Sequence, residues 1–236
     1  MDIKAIIFDK DGTLIDFDAF WVGICVSAIE DVLMTVGADN GLCTECLKAL
    51  GVDGDAVNPD GILCKGTYKQ ISAAIRDVLV KNGFEISEKN AERTVENAFV
   101  KNAGKGDVKP MCGDIRGVLE SLKAGGRRLM IVTTDNNEIT HKCLLRLGIE
   151  DLFDRICADD GITPAKPDPK AVFDIADEIN IPLESILMVG DTMTDISFAR
   201  NAGIKVIYVG KSEETGRLAD YAIKDISYIR QIIEKA

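Results

Sequence analysis

Two short apolar runs in this chain each end in a group of aspartates. The first, Ile6-Ile7-Phe8, precedes Asp9 and Asp11, and the second leads through a glycine into Asp191 and Asp195. Carboxylates gathered at the ends of strands repel one another unless a cation lies between them. The pattern therefore predicts a site that holds a divalent metal ion and handles an anionic reactant.

Two further polar residues follow other predicted strands. Thr133 ends a run of apolar residues, and Lys166 lies in the loop after the next strand. Ligands of an open parallel sheet bind beyond the carboxyl ends of its strands, so we expect these side chains to converge with Asp9 and Asp191. Two carboxylates and water suit Mg²⁺, which prefers hard oxygen ligands. A lysine and a hydroxyl group suit a phosphoryl group.

The composition is that of a globular protein with an acidic surface. The 236 residues carry a formal net charge of −11 at pH 7, which argues against nucleic acid and anionic membranes as partners. No apolar run is long enough to span a bilayer. The chain enters a predicted strand at once, so we expect no signal peptide and a cytoplasmic location. The sequence leaves the oligomeric state open.

Cysteine and histidine offer little catalytic chemistry. The seven cysteines are odd in number and scattered, which is typical of reduced thiols in a cytosolic protein. Cys43 and Cys46 form a C-x-x-C pair without the second pair that zinc requires, and any role for them stays open. The single histidine, His141, lies inside a helix predicted over Asn137–Leu147. Acid–base work must therefore fall to other groups.

The order of predicted elements indicates an α/β fold. Strand-like runs alternate with helical patterns, which favours parallel β-α-β units in a Rossmann-like, doubly wound sheet. These runs are Lys4–Phe8, Arg128–Thr133, Arg155–Ala158, Ser185–Val189 and Lys205–Val209.

The stretch from 16 to 108 shows helical patterns and no convincing strand, so we predict an inserted all-helical cap domain over 16–108. The Rossmann-like catalytic core would then comprise 1–15 and 109–236. Three helical faces carry this prediction, and Ser87 is placed to cap the third. Their apolar positions are Phe20, Trp21, Ile24, Ile29, Val32 and Leu33; Ile71, Ile75, Val78 and Leu79; and Ala91, Val95 and Phe99.

Four segments together resemble the motifs of the haloacid dehalogenase superfamily. Asp9-Lys10-Asp11-Gly12-Thr13-Leu14 resembles the first motif and Ile131-Val132-Thr133 the second, while Lys166 in its Ala-Lys-Pro-Asp-Pro loop resembles the third. Gly190-Asp191-Thr192-Met193-Thr194-Asp195 resembles the fourth. All four occur in order, and the resemblance covers nearly the whole chain. The helical insertion resembles the cap of the phosphoglycolate phosphatase and β-phosphoglucomutase branch.

This resemblance implies a Mg²⁺-dependent phosphatase that acts on a small phosphorylated metabolite. Asp9 would be the nucleophile, which forms an aspartyl-phosphate. Asp11 would protonate the leaving oxygen and then activate the hydrolytic water. Mg²⁺ would be held by the Asp9 carboxylate, the main-chain carbonyl of Asp11 and the Asp191 carboxylate.

The resemblance also implies a phosphate-binding group. Thr133 and Lys166 would bind phosphate oxygens, and Asp195 would support them by holding Lys166 or a water ligand. Thr134 is also expected to bind phosphate. It stands where the family often has asparagine, so the phosphate neighbourhood there is expected to differ slightly. Lys10 stands where the family commonly has an apolar residue, and it would either add positive potential near the phosphate or point away.

Two other functions stay open. Lys65 and Lys69 lie in a segment that resembles the specificity segment of β-phosphoglucomutases, so a sugar-phosphate mutase is one alternative. The same lysines fit solvent-facing positions at the start of a helix equally well. A catalytically silent phosphate-binding module is the other alternative, although such proteins usually lose one of the carboxylates. The presence of Asp11 argues against carbon–halogen and phosphonate cleavage, because family members with those activities lack it.

Overall fold

The computed structural model describes residues 2–54, 56–58 and 61–235. The chain divides into two compact units. The first unit comprises Met1–Asp16, Val108–Thr133 and Cys143–Ala236, and the second comprises Phe17–Asp107 and Thr134–Lys142. The division into a core over 1–15 and 109–236 and a cap over 16–108 stays a prediction.

A six-stranded sheet forms the centre of the fold in the described part of the chain. Its strands are β1 (Ala5–Phe8), β4 (Arg128–Asn136), β5 (Arg155–Asp159), β6 (Ile186–Gly190), β7 (Lys205–Val209) and β8 (Tyr221–Ile223). Their order in the sheet is β5-β4-β1-β6-β7-β8, and β1 pairs in parallel with both β4 and β6, as β7 does with β6 and β8. The predicted α/β class is therefore confirmed. Only the short edge strand β8 has no counterpart in the sequence prediction.

The central strands are apolar along their whole length because both faces of the sheet are covered. Every residue of β1 and β6 is buried. In register, Phe8 of β1 lies beside Ile131 of β4 on one side and Val189 of β6 on the other. This register brings the carboxyl ends of three strands together at one edge, which is where the motif residues begin.

Beyond residue 108, six α-helices alternate with the strands along the part of the chain that the structure describes. They are α6 (Ile115–Ala124), α7 (Asn137–Leu147), α8 (Lys170–Ile179), α9 (Met193–Ala202), α10 (Glu213–Gly216) and α11 (Ile229–Lys235). Helix α8 has apolar residues at helical spacing, including Ala171 and Ile175, and these pack with the inward side chains of the strands. Helix α9 is capped at its C-terminus by Gly203, whose φ of +71° is the left-handed conformation that glycine favours.

The second unit is built mainly from helices. They are α1 (Phe17–Val36), α2 (Cys43–Ala49), α3 (Ile62–Lys65), α4 (Tyr68–Lys81) and α5 (Glu88–Asn102). The expectation of a purely helical insertion was wrong in one detail, because β2 (Val52–Asp53) and β3 (Ala56–Val57) form a short antiparallel ladder. Gly54, with a φ of +62°, makes the turn that lets such short strands pair, and runs of two residues carry no periodic signal.

The three predicted helical faces are confirmed, since all of their apolar residues are buried. An aromatic cluster lies among them, in which the ring centroids of Phe20 and Trp21 are 5.2 Å apart and those of Tyr68 and Phe99 are 5.7 Å apart. The Ser87 hydroxyl caps α5 by accepting a hydrogen bond from the backbone N–H of Asn90 at 3.3 Å. Within the described ranges, no helix has the length and apolarity needed to cross a membrane.

Candidate active site

Asp9 and Asp191 follow two neighbouring strands. Asp9 comes directly after β1, and its backbone N–H donates to the carbonyl of Val189 at 2.9 Å. Asp191 comes directly after β6, which pairs in parallel with β1. The two aspartates therefore follow neighbouring strands at the same edge of the sheet, although they are 182 positions apart in the sequence.

A third carboxylate joins this pair. Asp9, Asp191 and Asp195 each offer a carboxylate oxygen, and the three oxygens lie within 4.8 Å of one another. Asp195 lies in the first turn of α9 and is fully buried, while Asp9 is buried and Asp191 is half-buried. Three hard oxygen donors at this spacing match what a divalent cation needs. We call these three residues the acidic triad.

Burial and mutual repulsion make the triad electrostatically costly without a cation. Burial raises the pKa of Asp9 to about 7, opposed by the attraction of Lys166 and reinforced by the negative charges of Asp195 and Asp11. Burial also raises the pKa of Asp191 well above its ordinary range, and the charge of Asp9 adds to this effect. Positive charge at this site would favour the ionised form of both carboxylates.

Lys166 supplies part of that positive charge. Its Nζ lies 2.6 Å from Oδ1 of Asp9 and 2.6 Å from Oδ1 of Asp195. Burial alone would lower the pKa of this lysine, but the charges of Asp195 and Asp9 outweigh it and raise that pKa. The side chain is only 4% exposed, so Lys166 is a cation bound tightly between two carboxylates.

The loop that carries Lys166 is fixed by local hydrogen bonds. The backbone N–H of Asp168 donates to the carbonyl of Ala165 at 3.0 Å. The side-chain amide of Asn201, on α9, donates to the carbonyl of Pro167 at 2.9 Å. Helix α9 therefore contributes a triad carboxylate and also holds the lysine loop against it.

Asp195 is oriented by a capping box at the start of α9. The Thr192 side chain accepts from the backbone N–H of Asp195 at 3.3 Å, and the Thr192 hydroxyl and backbone N–H donate to Oδ2 of Asp195 at 2.7 and 3.0 Å. These bonds occupy one carboxylate oxygen and leave Oδ1 to Lys166. Gly190 is required beside it, because a Cβ there would lie 2.4 Å from the Asp195 carboxyl carbon.

Asp11 has a partner that the sequence did not reveal. The Nζ of Lys10 lies 2.7 Å from a carboxylate oxygen of Asp11, and the Lys10 side chain is completely buried. The Asp11 side chain is 15% exposed, so it can reach the solvent-facing side of this loop. The ammonium group of Lys10 binds Asp11, and the two roles expected for Lys10 toward a phosphate stay predictions.

The threonines expected to bind phosphate both lie in β4. Thr133 is buried and stands two positions beyond Ile131, the residue that pairs with Phe8, so it emerges at the same edge as Asp9. Thr134 is half-buried and belongs to the second unit. Phosphate binding by Thr133 and Thr134 stays a prediction.

The remaining candidates lie in the second unit. Lys69 is exposed at the start of α4, and the side chain of Lys65 lies outside the described residues. All seven cysteines are free thiols. Burial raises the pKa of Cys46 to about 11 and raises that of Cys43, which favours the neutral thiol form of both residues.

Sequence reasoning missed one contact to the triad. The hydroxyl of Thr13 donates to Oδ1 of Asp191 at 3.2 Å across 178 positions of sequence. The first motif contains Thr13, but no local pattern indicates which distant carboxylate its hydroxyl meets. The sequence predicts that Asp195 supports the site by holding Lys166 or a water ligand, and in the structure its Oδ1 lies 2.6 Å from Nζ of Lys166.

Comparison with known proteins identifies the family of this chain and several of its relatives. A model of haloacid dehalogenase-like hydrolases matches residues 3–203. The phosphoglycolate phosphatase of Aquifex aeolicus is 30% identical over 206 residues, which cover 86% of this chain and 83% of that protein. Pyrophosphatase PpaX of Halalkalibacterium halodurans is 35% identical over 118 residues, which cover only about half of each chain (49% of this one and 50% of that one).

The fold is also shared with solved structures. A predicted phosphoglycolate phosphatase from Haemophilus somnus superposes with a TM-score of 0.71 at 21% identity and covers 99% of both chains. This likeness concerns the fold alone, while the match over 3–203 concerns the sequence and includes all four motifs. The resemblance seen in the motifs is therefore confirmed, and the chain belongs to the haloacid dehalogenase-like hydrolases.

Proposed function

We propose that this protein is a Mg²⁺-dependent phosphatase that hydrolyses a small phosphorylated metabolite through an aspartyl-phosphate. The observation that carries the proposal is the position of Asp9, whose carboxylate lies within a buried acidic triad and 2.6 Å from the Lys166 ammonium group. A phosphate that approaches the Asp9 carboxylate would lie close to the Lys166 ammonium group, whose positive charge would stabilise it. Relatives named phosphoglycolate phosphatase and pyrophosphatase support phosphate chemistry.

In the first step, an oxygen of the Asp9 carboxylate attacks phosphorus, and the bond between phosphorus and the leaving oxygen breaks. Asp11 donates a proton to that leaving oxygen. In the second step, Asp11 takes a proton from water, the water oxygen attacks phosphorus, and Asp9 is released as a carboxylate. Lys166 and Thr133 would bind phosphoryl oxygens and stabilise their charge during both steps.

The residues fit a divalent cation. Asp9 and Asp191 would hold it through carboxylate oxygens, and Asp11 through its main-chain carbonyl. Asp195 would support them through its contact with Lys166. The pKa values of Asp9 and Asp191 are raised by burial and by neighbouring negative charges, and a bound cation would offset both effects. When bound, Mg²⁺ would neutralise the repulsion between the carboxylate nucleophile and the phosphate dianion.

The substrate is proposed only at the level of class. The net charge of −11 disfavours nucleic acid, and the free cysteines fit a cytoplasmic enzyme that acts on a soluble metabolite. Phosphoglycolate and inorganic pyrophosphate are the first compounds to test, because they belong to the names of the relatives.

The test compares Asp9→Asn with Asp2→Asn. Phosphate release from a panel of phosphoglycolate, pyrophosphate, sugar phosphates and nucleotides is measured with Mg²⁺ and with a chelator. We expect release only with Mg²⁺, no detectable release by Asp9→Asn, and unchanged release by Asp2→Asn, whose side chain is 84% exposed. Full activity of Asp9→Asn would refute the nucleophile assignment.

The same panel separates the alternatives. A mutase would convert β-glucose 1-phosphate to glucose 6-phosphate faster than it releases phosphate. A silent binding module would release no phosphate from any compound at any concentration of Mg²⁺. The intact set of acidic residues favours the phosphatase over the silent module, since each carboxylate that the chemistry needs is present.

A further inference from the structure

The loop after β1 approaches Asp191 through two consecutive residues. The Thr13 side chain is completely buried, and its hydroxyl lies 3.2 Å from Oδ1 of Asp191. Gly12 lies against the other carboxylate oxygen, because a Cβ built on Gly12 would stand only 2.1 Å from Oδ2 of Asp191. One residue therefore leaves room for the carboxylate, and the next donates a hydrogen bond to it.

The position of the Thr13 hydroxyl is set by a tightly bonded turn. The backbone N–H groups of Leu14 and Ile15 both donate to the carbonyl of Lys10, at 2.9 and 3.0 Å, and that of Gly12 donates to the carbonyl of Ile15 at 2.7 Å. Gly12 has a φ of +77°, which favours glycine. Thr13 therefore presents its hydroxyl from a fixed backbone.

The Asp191 carboxylate, which accepts this hydrogen bond, is repelled by neighbouring carboxylates. Asp191 lies close to Asp9 and Asp195, which carry the same charge, and it follows β6 in a loop rather than in the strand itself. Without a restraint, rotation of its side chain would relieve the repulsion and take its oxygens away from the other two. A hydrogen bond to Oδ1 opposes that rotation before any cation arrives.

We propose that Thr13 is a positioning residue that holds the Asp191 carboxylate in the orientation needed to bind a divalent cation. This inference rests on the proposed function, because it assumes that the acidic triad takes up a metal ion. It assigns Thr13 no contact with substrate and no part in proton transfer. Thr13 would affect the affinity of the site for the cation. Gly12 leaves the space that the Asp191 carboxylate occupies.

Three variants of Thr13 test the proposal. Thr13→Val removes the hydroxyl and keeps the branched shape, Thr13→Ala removes it with a smaller side chain, and Thr13→Ser keeps it. Binding of Mn²⁺ and of Mg²⁺ to the full chain is measured by calorimetry without substrate, and thermal unfolding without metal verifies the fold. Loss of an outer partner of a metal ligand typically weakens metal binding about 10- to 100-fold.

We expect the dissociation constant for Mn²⁺ to rise about tenfold in Thr13→Val and in Thr13→Ala and to stay close to wild type in Thr13→Ser. If one of the first two does not fold, the other decides. Wild-type affinity in a folded Thr13→Val or Thr13→Ala would overturn the positioning role. Equal losses in all three variants would overturn it too, because the hydroxyl would then be irrelevant. No metal binding by the wild type would instead refute the proposed function itself.

Discussion

Lys10 and Asp11 form an ion pair between consecutive residues, with the Lys10 Nζ 2.7 Å from a carboxylate oxygen of Asp11. The Lys10 side chain is fully buried, whereas the Asp11 side chain keeps some contact with solvent. A buried ammonium group is stable only when it is paired, so this contact fixes the residue proposed as the acid and base.

Replacement of Lys10 by methionine is expected to destabilise the protein. Methionine fills similar space but leaves the Asp11 carboxylate without its partner, so the free energy of unfolding should fall by about 3 kcal/mol. Chemical denaturation measures this change. The double variant Lys10→Met with Asp11→Asn should recover part of the loss, because no carboxylate is then left unpaired. A single variant as stable as wild type would contradict a tight ion pair.

Replacement of Lys166 by methionine should affect both stability and turnover. It leaves the buried carboxylates of Asp9 and Asp195 without a cation, which should cost about 3–5 kcal/mol in the metal-free protein. Loss of the charge that we propose binds the phosphoryl group should lower kcat about 10²- to 10³-fold. Both are measured against Lys170→Met, which breaks the exposed pair with Asp174 and should cost about 1 kcal/mol or less. Similar losses in the two variants would contradict this account.

The metal-free protein should lose stability as the pH rises from 5 to 8. The pKa of Asp9 is raised from 3.8 to about 7 in the folded protein, so folding favours its protonated form. The resulting stability is fully present below pH 3.8 and is lost as the pH rises through 7. We expect the titration of Asp9 to lower the free energy of unfolding by at least about 1 kcal/mol between pH 5 and 8. Thermal unfolding in the presence of a chelator at each pH measures this change.

The Asp9→Asn variant is the control for this pH dependence. It cannot ionise at position 9, so its stability should fall less between pH 5 and 8 than that of the wild type. Mg²⁺ should reverse the trend in the wild type, because its binding requires ionised carboxylates and strengthens as protons leave. Parallel stability curves for the two metal-free proteins would show that Asp9 does not titrate in this range.

Removal of the Thr192 hydroxyl should weaken both a helix and the metal site. Thr192→Ala removes the cap of α9 and one hydrogen bond to Oδ2 of Asp195, and loss of such a cap typically costs about 1 kcal/mol. Ser87→Ala removes a comparable cap from α5 and should cost a similar amount. Only Thr192→Ala should also weaken Mg²⁺ binding, as measured by calorimetry. Equal metal affinity in the two variants would exclude an influence of Thr192 on the triad.

Much of the fold could be predicted because the signals are local. The buried faces of α1, α4 and α5 follow from apolar residues at helical spacing, and β7 was predicted with its observed bounds. The edge strand β8 and the ladder of β2 and β3 could not be predicted, because strands of two or three residues are too short to show a hydrophobic pattern.

The sequence by itself determined the chemistry that the site can support. The order of motifs identified the family, and the aspartates after β1 and β6 follow from strand ends that any parallel sheet brings to one edge. Only the tertiary structure decided which groups touch. It paired Lys10 with Asp11 and brought the Thr13 hydroxyl to Asp191. These contacts depend on the order of the strands in the sheet and on side-chain rotamers. The spacing of residue types along the sequence indicates neither of them.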